Sequence, residues 1–281
     1  MAPAPSNLRP ALLACALIAS HIAPASAAEP IRIAFMNGKS VPITSVALQG
    51  ENIVVIAATD QFNESQTIPF IQADHVYGEE PAELKQAVAL LLMDKAKDAK
   101  KLLEPLVSQH RITAKIPGNF WLEAARTLLV ACAVSGDTLK CTELGKEISE
   151  ATPAKGNDPF VNLGKALLMP ATTKVEDRAS ALSDLAADAN MPADVCAYAS
   201  FFRGNLLKQD KHNDKALEAY LMAPCLFPSG GLVIMAAAEI QAADLLTARR
   251  EEALALLRSA ARDAAGTQLA EDANKRLKNL Q

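Results

Sequence analysis

The feature that most constrains this chain is a helical face that recurs five times at nearly constant spacing. In each copy a small residue is followed by small or apolar residues three, four and seven places on. That spacing puts all four side chains on one side of an α-helix. The copies are Ala99-Leu102-Leu103-Leu106, Cys141-Leu144-Gly145-Ile148, Ala179-Leu182-Ser183-Ala186, Ala216-Ala219-Tyr220-Ala223 and Ala253-Leu256-Leu257-Ala260. Their lead residues lie 42, 38, 37 and 37 places apart. A small lead residue lets a neighbouring helix approach closely. Between the copies lie partner segments of similar length, the first carrying Leu84, Ala87, Val88 and Leu91 at the same spacing. Each pair reads as an antiparallel helical hairpin, which cannot bury both of its faces alone. Five stacked pairs would bury a continuous core. Residues 267–281, rich in Lys, Asp and Glu, read as a terminal amphipathic helix that caps the stack. With only 12 aromatic residues in the chain, close helix packing is favoured over strand packing.

The helical period begins at Pro81. Breakers then separate helix-sized segments: Pro117-Gly118, Gly136-Asp137, Asp158-Pro159, Asn190 to Pro192, Pro228 to Gly231 and Gly266-Thr267. Asp158 before Pro159 predicts a capped helix start with proline at its first position. Residues 30–79 follow a different pattern and read as a small all-β domain. Ile31, Ile33 and Phe35 alternate, and Asn37-Gly38 supplies a hairpin turn. Val41 to Leu48 and Asn52 to Ala57 read as two further strands, and Thr67 to Ile71 and His75 to Tyr77 as short final ones. Pro69 belongs on a sheet edge, because it has no N–H to donate. The adjacent Asp74 and His75 are expected on opposite sides of their strand. About 50 residues make a marginal independent core, so this segment is expected to lean on the helices. It is expected to form a small barrel or a curled sheet, and it resembles an SH3-like or Sm-like small barrel.

The helical part, roughly residues 82–264, resembles the tetratricopeptide repeat (TPR) family. The fourth pair carries Gly204, Ala216, Tyr220, Ala223 and Pro228 at the family spacing. The second pair has Trp121 near its start and Gly136 at its turn, with Cys141 where the family has alanine. The third keeps Gly164, while the first and fifth lack that glycine and Pro105 interrupts the first pair's second helix. The resemblance implies a mainly α fold over residues 81–281, a helical-hairpin solenoid of about five pairs and a capping helix. It also implies a concave groove lined by the first helix of each pair, holding a protein or peptide. Arg126, Lys165, Arg203 and Asn205 are the candidate polar contacts. Trp121 and one of Phe201-Phe202 are candidate aromatic anchors, and each is equally readable as a core residue.

Residues 1–27 read as an export signal. Arg9 gives a positive start, 11–19 form a short apolar run, and Ala25-Ser26-Ala27 offers small residues for cleavage. Cys15 after Leu12-Leu13-Ala14 raises the alternative of a lipoprotein site. Only Ala11 to Ala14 would then form the apolar stretch, so cleavage near Ala27 or Ala28 is expected, with a periplasmic or secreted product. The remaining 254 residues hold 27 basic against 32 acidic side chains, a balance that calls for neither nucleic acid nor an anionic membrane. No later stretch is apolar enough to span a bilayer.

Four cysteines remain after cleavage. Cys132 and Cys141 flank the Gly136 turn, and Cys196 and Cys225 start and end a predicted antiparallel pair. Bridges Cys132–Cys141 and Cys196–Cys225 are therefore candidates in an oxidising compartment, against the alternative of buried free thiols. Nothing has a metal-ligand spacing, and there is no nucleophile-elbow, Walker or dinucleotide motif. His75, His110 and His212 read as ordinary polar residues. The expectation is a non-enzymatic exported binding scaffold without a cofactor. A structural subunit or assembly factor of an envelope complex is the alternative, and an enzyme with a dispersed site a remote one.

Overall fold

The computed structural model describes residues 29–152, 158–246 and 248–280. The export signal expected over 1–27 and its Cys15 alternative lie outside them.

Six short strands open the described chain: β1 (Arg32–Phe35), β2 (Ser40–Pro42), β3 (Val46–Gln49), β4 (Asn52–Val55), β5 (Thr67–Pro69) and β6 (Ala73–Tyr77). They form two three-stranded antiparallel sheets, ordered β2-β1-β6 and β3-β4-β5. Alternate residues such as Ile33, Phe35, Val41, Ile53, Val55 and Val76 point into a shared core. Asn37-Gly38 makes the first turn as expected, with only Gly38 at positive φ. Pro69 sits on the edge strand β5, also as expected.

Two strand expectations are corrected. The run from Val41 to Leu48 is not one strand, because a 3-10 turn at Ile43–Ser45 carries the chain from one sheet to the other while Ile43 stays buried. Thr67 to Ile71 likewise ends at Pro69, and a second 3-10 turn, Phe70–Gln72, leads into β6. Asp74 and His75 are not on opposite sides. The β1–β6 register slips between Ala34↔His75 and Phe35↔Ala73, so Asp74 is the extra residue of a bulge. Its carboxylate reaches His75 Nδ1 at 2.9 Å.

The β core is completed from the helical region by Ile116. Beside it the backbone N–H of Val76 donates to the Pro117 carbonyl at 2.8 Å. Gly118 is required there: its φ is +74°, and a Cβ would sit 2.7 Å from the Val76 oxygen.

Eleven α-helices follow among the described residues: α1 (Ala82–Leu92), α2 (Ala96–His110), α3 (Trp121–Val134), α4 (Thr138–Ala151), α5 (Pro159–Leu167), α6 (Val175–Ala187), α7 (Ala193–Gln209), α8 (Asn213–Leu226), α9 (Leu232–Leu245), α10 (Arg250–Asp263) and α11 (Gln268–Leu280). Helices α1 to α10 pack as five consecutive hairpins. The five recurrent faces fall on α2, α4, α6, α8 and α10, and each lead residue is buried. Pro105 does not interrupt α2, which runs through it. Pro105 is exposed, so the carbonyl it leaves unpaired a turn earlier can face water.

The first helices of the hairpins touch in order, α1 to α3, α3 to α5, α5 to α7 and α7 to α9, and α9 returns to touch α1. These inner helices are therefore apolar on most sides. Nearly every residue of α3 from Ala124 to Ala133 and of α9 from Ile234 to Ala243 is buried. The last helix, α11, packs on α10, α9 and α1. Lys85 Nζ donates to the Ala265 carbonyl at 2.8 Å, and the Gln268 backbone N–H to Gln86 Oε1 at 3.3 Å. The end of the chain is stitched to its first helix.

Candidate functional site

Because the inner helices alternate with outer ones, all five start on the same side of the molecule. Their first two turns surround a cavity of about 570 Å³. Leu84, Lys85 and Val88 come from α1, Glu123, Arg126 and Thr127 from α3, and Phe160 from α5. Asp194 and Tyr198 come from α7 and Leu232 to Ile234 from α9, with Glu80 just ahead of α1. The volume suits a side chain or small organic group.

Asp158 organises one wall. Its carboxylate caps α5 by accepting from the Phe160 N–H at 3.0 Å, as the Asp-Pro pair predicts. The same carboxylate accepts from Arg126 Nη2 at 2.5 Å and Nε at 3.1 Å. Asp158 is 2 % exposed, so Arg126 supplies the charge that makes its burial tolerable. The guanidinium also stacks 5.3 Å from the Phe160 ring centroid. From Phe160 an aromatic chain runs inward through Tyr198, Phe202 and Phe201 to Tyr220, with neighbouring centroids 5.4–6.2 Å apart. Glu123 has its carboxyl held above the usual range, first by desolvation and then by repulsion from Glu80 and Asp194. Burial pushes the Tyr198 phenol well up, and nearby Glu123 and Asp194 add to the effect.

A second, more open cleft of about 950 Å³ lies where the sheets meet α4 and the segment after α2. Leu48 and Ile71 line it while largely exposed, across from Arg111 and Glu147, which pair at 2.8 Å. Trp121 forms part of its wall but is 1 % exposed, and its indole N–H has no partner among the described residues.

The expected groove residues do not converge. Arg126 alone lines the helical mouth. Trp121 stands at the other cleft as a core residue, Phe201 and Phe202 are both buried, and Lys165 is exposed on α5. Arg203 reaches Met222 Sδ at 3.8 Å, and Asn205 accepts from the Tyr220 hydroxyl at 2.7 Å. The mouth residues that sequence reading missed are Glu80, Glu123, Phe160, Asp194 and Tyr198. One signal was present: Asp194 and Tyr198 are four apart on one helix, as are Glu123 and Thr127.

The four cysteines are free thiols in the structure. The Cys196 sulfur faces the Leu185 and Met191 carbonyls at 3.8 Å each, and Cys225 is exposed on α8. The Cys141 sulfur packs towards Gly164 on α5. Burial pushes the Cys132 thiol up to about 11. Elsewhere, Glu176, Asp210 and His212 lie close enough to share an ion, but all three are exposed, and His212 Nε2 already meets Asp210 at 3.1 Å. His212 takes the N-cap position of α8 without a side-chain capping bond. Among the described residues no helix is long and apolar enough to cross a membrane.

Known protein families, curated proteins and solved structures yield no match to this chain.

Proposed function

We propose that this chain is a non-enzymatic binding scaffold of the cell envelope, in which a TPR-like solenoid of five hairpins presents a preformed site to a protein or peptide. The observation that carries this reading is the mouth shared by the five inner helices. Charged and aromatic side chains stand there on helices whose other faces are packed, so little ordering cost accompanies binding. The close seating of Tyr220 against Gly204 supports the TPR resemblance in the fourth pair. The return of α9 and α11 to α1 means that the usable surface is this mouth rather than a long open groove. Immobilised protein from residue 28 onward, offered to envelope extract, should retain a polypeptide partner, and Leu232→Asp, a change of an exposed mouth residue, should release it. Recovery of no partner under several conditions, with folding intact, would count heavily against the reading.

A second reading is favoured by one observation. Met36, Leu48, Ile56 and Ile71 are exposed on the SH3-like or Sm-like β segment, which suits a subunit or assembly factor docking through that segment. Sedimentation of native extract separates the two. A stable assembly broken by Ile71→Asp but not by Leu232→Asp supports the second.

A further inference from the structure

We propose that the mouth of the inner helices is a receptor for a positively charged group, the ammonium or guanidinium of a basic segment in a partner polypeptide. This rests on the scaffold reading and gives its partner a chemistry. Arg126 is held by Asp158, and Lys85 turns its ammonium to the Ala265 carbonyl. Glu80, Glu123 and Asp194 make no ion pair among the described residues, yet all three line one cavity. The starts of the five helices put partial positive charge at the same place, about half an elementary charge each, which alone would favour an anion. Asp194 offsets part of this on α7 by accepting from the Val195 N–H, while the charge of Asp158 is already matched by Arg126. Glu80 and Glu123 have no such engagement.

An independent observation comes from Tyr198. Its side chain lines the cavity and is only 6 % exposed, and its hydroxyl has no hydrogen-bond partner among the described residues. A ligand N–H would satisfy it. The Phe160 and Tyr198 rings, with Leu84 and Val88, form apolar walls that suit the methylene stem of lysine. Entry of a cation would also relieve the repulsion from Glu80 and Asp194 that adds to the desolvation of Glu123.

The test is binding of fluorescein-labelled hexalysine to the full chain at low ionic strength, followed by fluorescence anisotropy. Hexaglutamate serves as the opposite-charge probe. Glu123→Gln and Asp194→Asn should each weaken hexalysine about tenfold, the loss of one charge-assisted contact. Tyr198→Phe should weaken it by a smaller factor. The pair Glu143→Gln with Glu252→Gln removes equal charge from exposed positions on the outer helices α4 and α10, outside the lining of the mouth, and should change nothing. Equal weakening by both pairs would mean diffuse attraction and overturn the proposal, as would tighter binding of hexaglutamate. Displacement by spermidine as effective as by unlabelled hexalysine assigns the site to free polyamines, and weaker displacement assigns it to a polypeptide. Both outcomes uphold the cation chemistry. If an envelope partner is captured equally by wild type and by Glu123→Gln/Asp194→Asn, this inference fails and the scaffold reading stands. If hexalysine binds at the mouth but no partner is captured, the reverse holds.

Discussion

Arg126 and Asp158 illustrate how one residue can be misread from sequence alone. On a helix face Arg126 looks like a free contact, whereas in the fold its guanidinium is bound to a carboxylate that is almost wholly buried. Arg126→Met should therefore cost about 2–3 kcal/mol in urea denaturation, because the buried Asp158 carboxylate would lose its counter-charge. Adding Asp158→Asn should restore most of that loss, since asparagine still caps α5, and the pair measured as a double-mutant cycle should show strong coupling. Glu239 makes a prediction with a defined sign. It is buried on α9 with one carboxylate oxygen unpartnered, facing Ser259, Arg262 and Asp263 of α10. Desolvation pushes its carboxyl up to about 7, with Asp263 adding to the shift and the Ser259 hydroxyl and Arg262 opposing it. The folded protein then holds a proton that the unfolded chain has released, so this contribution is complete below about pH 4.3 and lost as pH rises through 7. Glu239→Gln should remove that dependence and raise the urea midpoint at pH 8 relative to wild type. The thiols were readable only as alternatives, because sequence places two cysteines on adjacent arms without saying where each sulfur turns. With Cys225 exposed and the other three buried, a thiol reagent should label one group in the folded protein and four only after unfolding without reductant. The count applies to protein from residue 28 onward. Fewer than four would indicate a bridge.

At the scale of elements, the five-fold face was legible because its cause is local: four side chains on one helix must meet a neighbour, and small leads set the distance. Gly204 shows how tight that distance is. A Cβ there would lie 2.5 Å from the Tyr220 ring, whose hydroxyl is anchored on Asn205. Gly204→Ala should thus destabilise by about 1–3 kcal/mol despite its better helix propensity, because the packed ring has to move. Tyr220→Leu placed beside it should recover part of the loss, measured again by urea denaturation. The strands were less legible for a physical reason. A run of alternating residues fixes which side chains point inward, but not where the chain leaves one sheet for the next. Ile43 keeps its place in the core through a 3-10 turn, so the pattern from Val41 onward looks unbroken although the pairing is not. The bulge at Asp74 was invisible for the same reason, since register is a property of two strands and the sequence shows them one at a time.

Across the whole molecule, the decisive contacts join segments about 180 residues apart, which no local pattern can reveal. The mouth exists because α9 and α11 come back to α1, and the residues that line it are drawn from five separate helices. This closure changes how the protein should lose its structure. In an open repeat array each hairpin touches only its neighbours, so removing the last one leaves the others folded at a slightly lower stability. Here the removal of α10 and α11 with their loops, residues 247–281, would expose α9 to solvent. It would also strip the Lys85 and Gln86 contacts from α1 at the opposite end of the chain. Deletion from residue 247 should therefore destabilise the first hairpin as strongly as the fourth. Amide exchange should show α1 and α2 losing protection together with α7 and α8. Loss confined to α9 and its neighbours, with α1 and α2 still protected, would mean that the ends touch without supporting each other, and the mouth would then be a loose assembly rather than a preformed site.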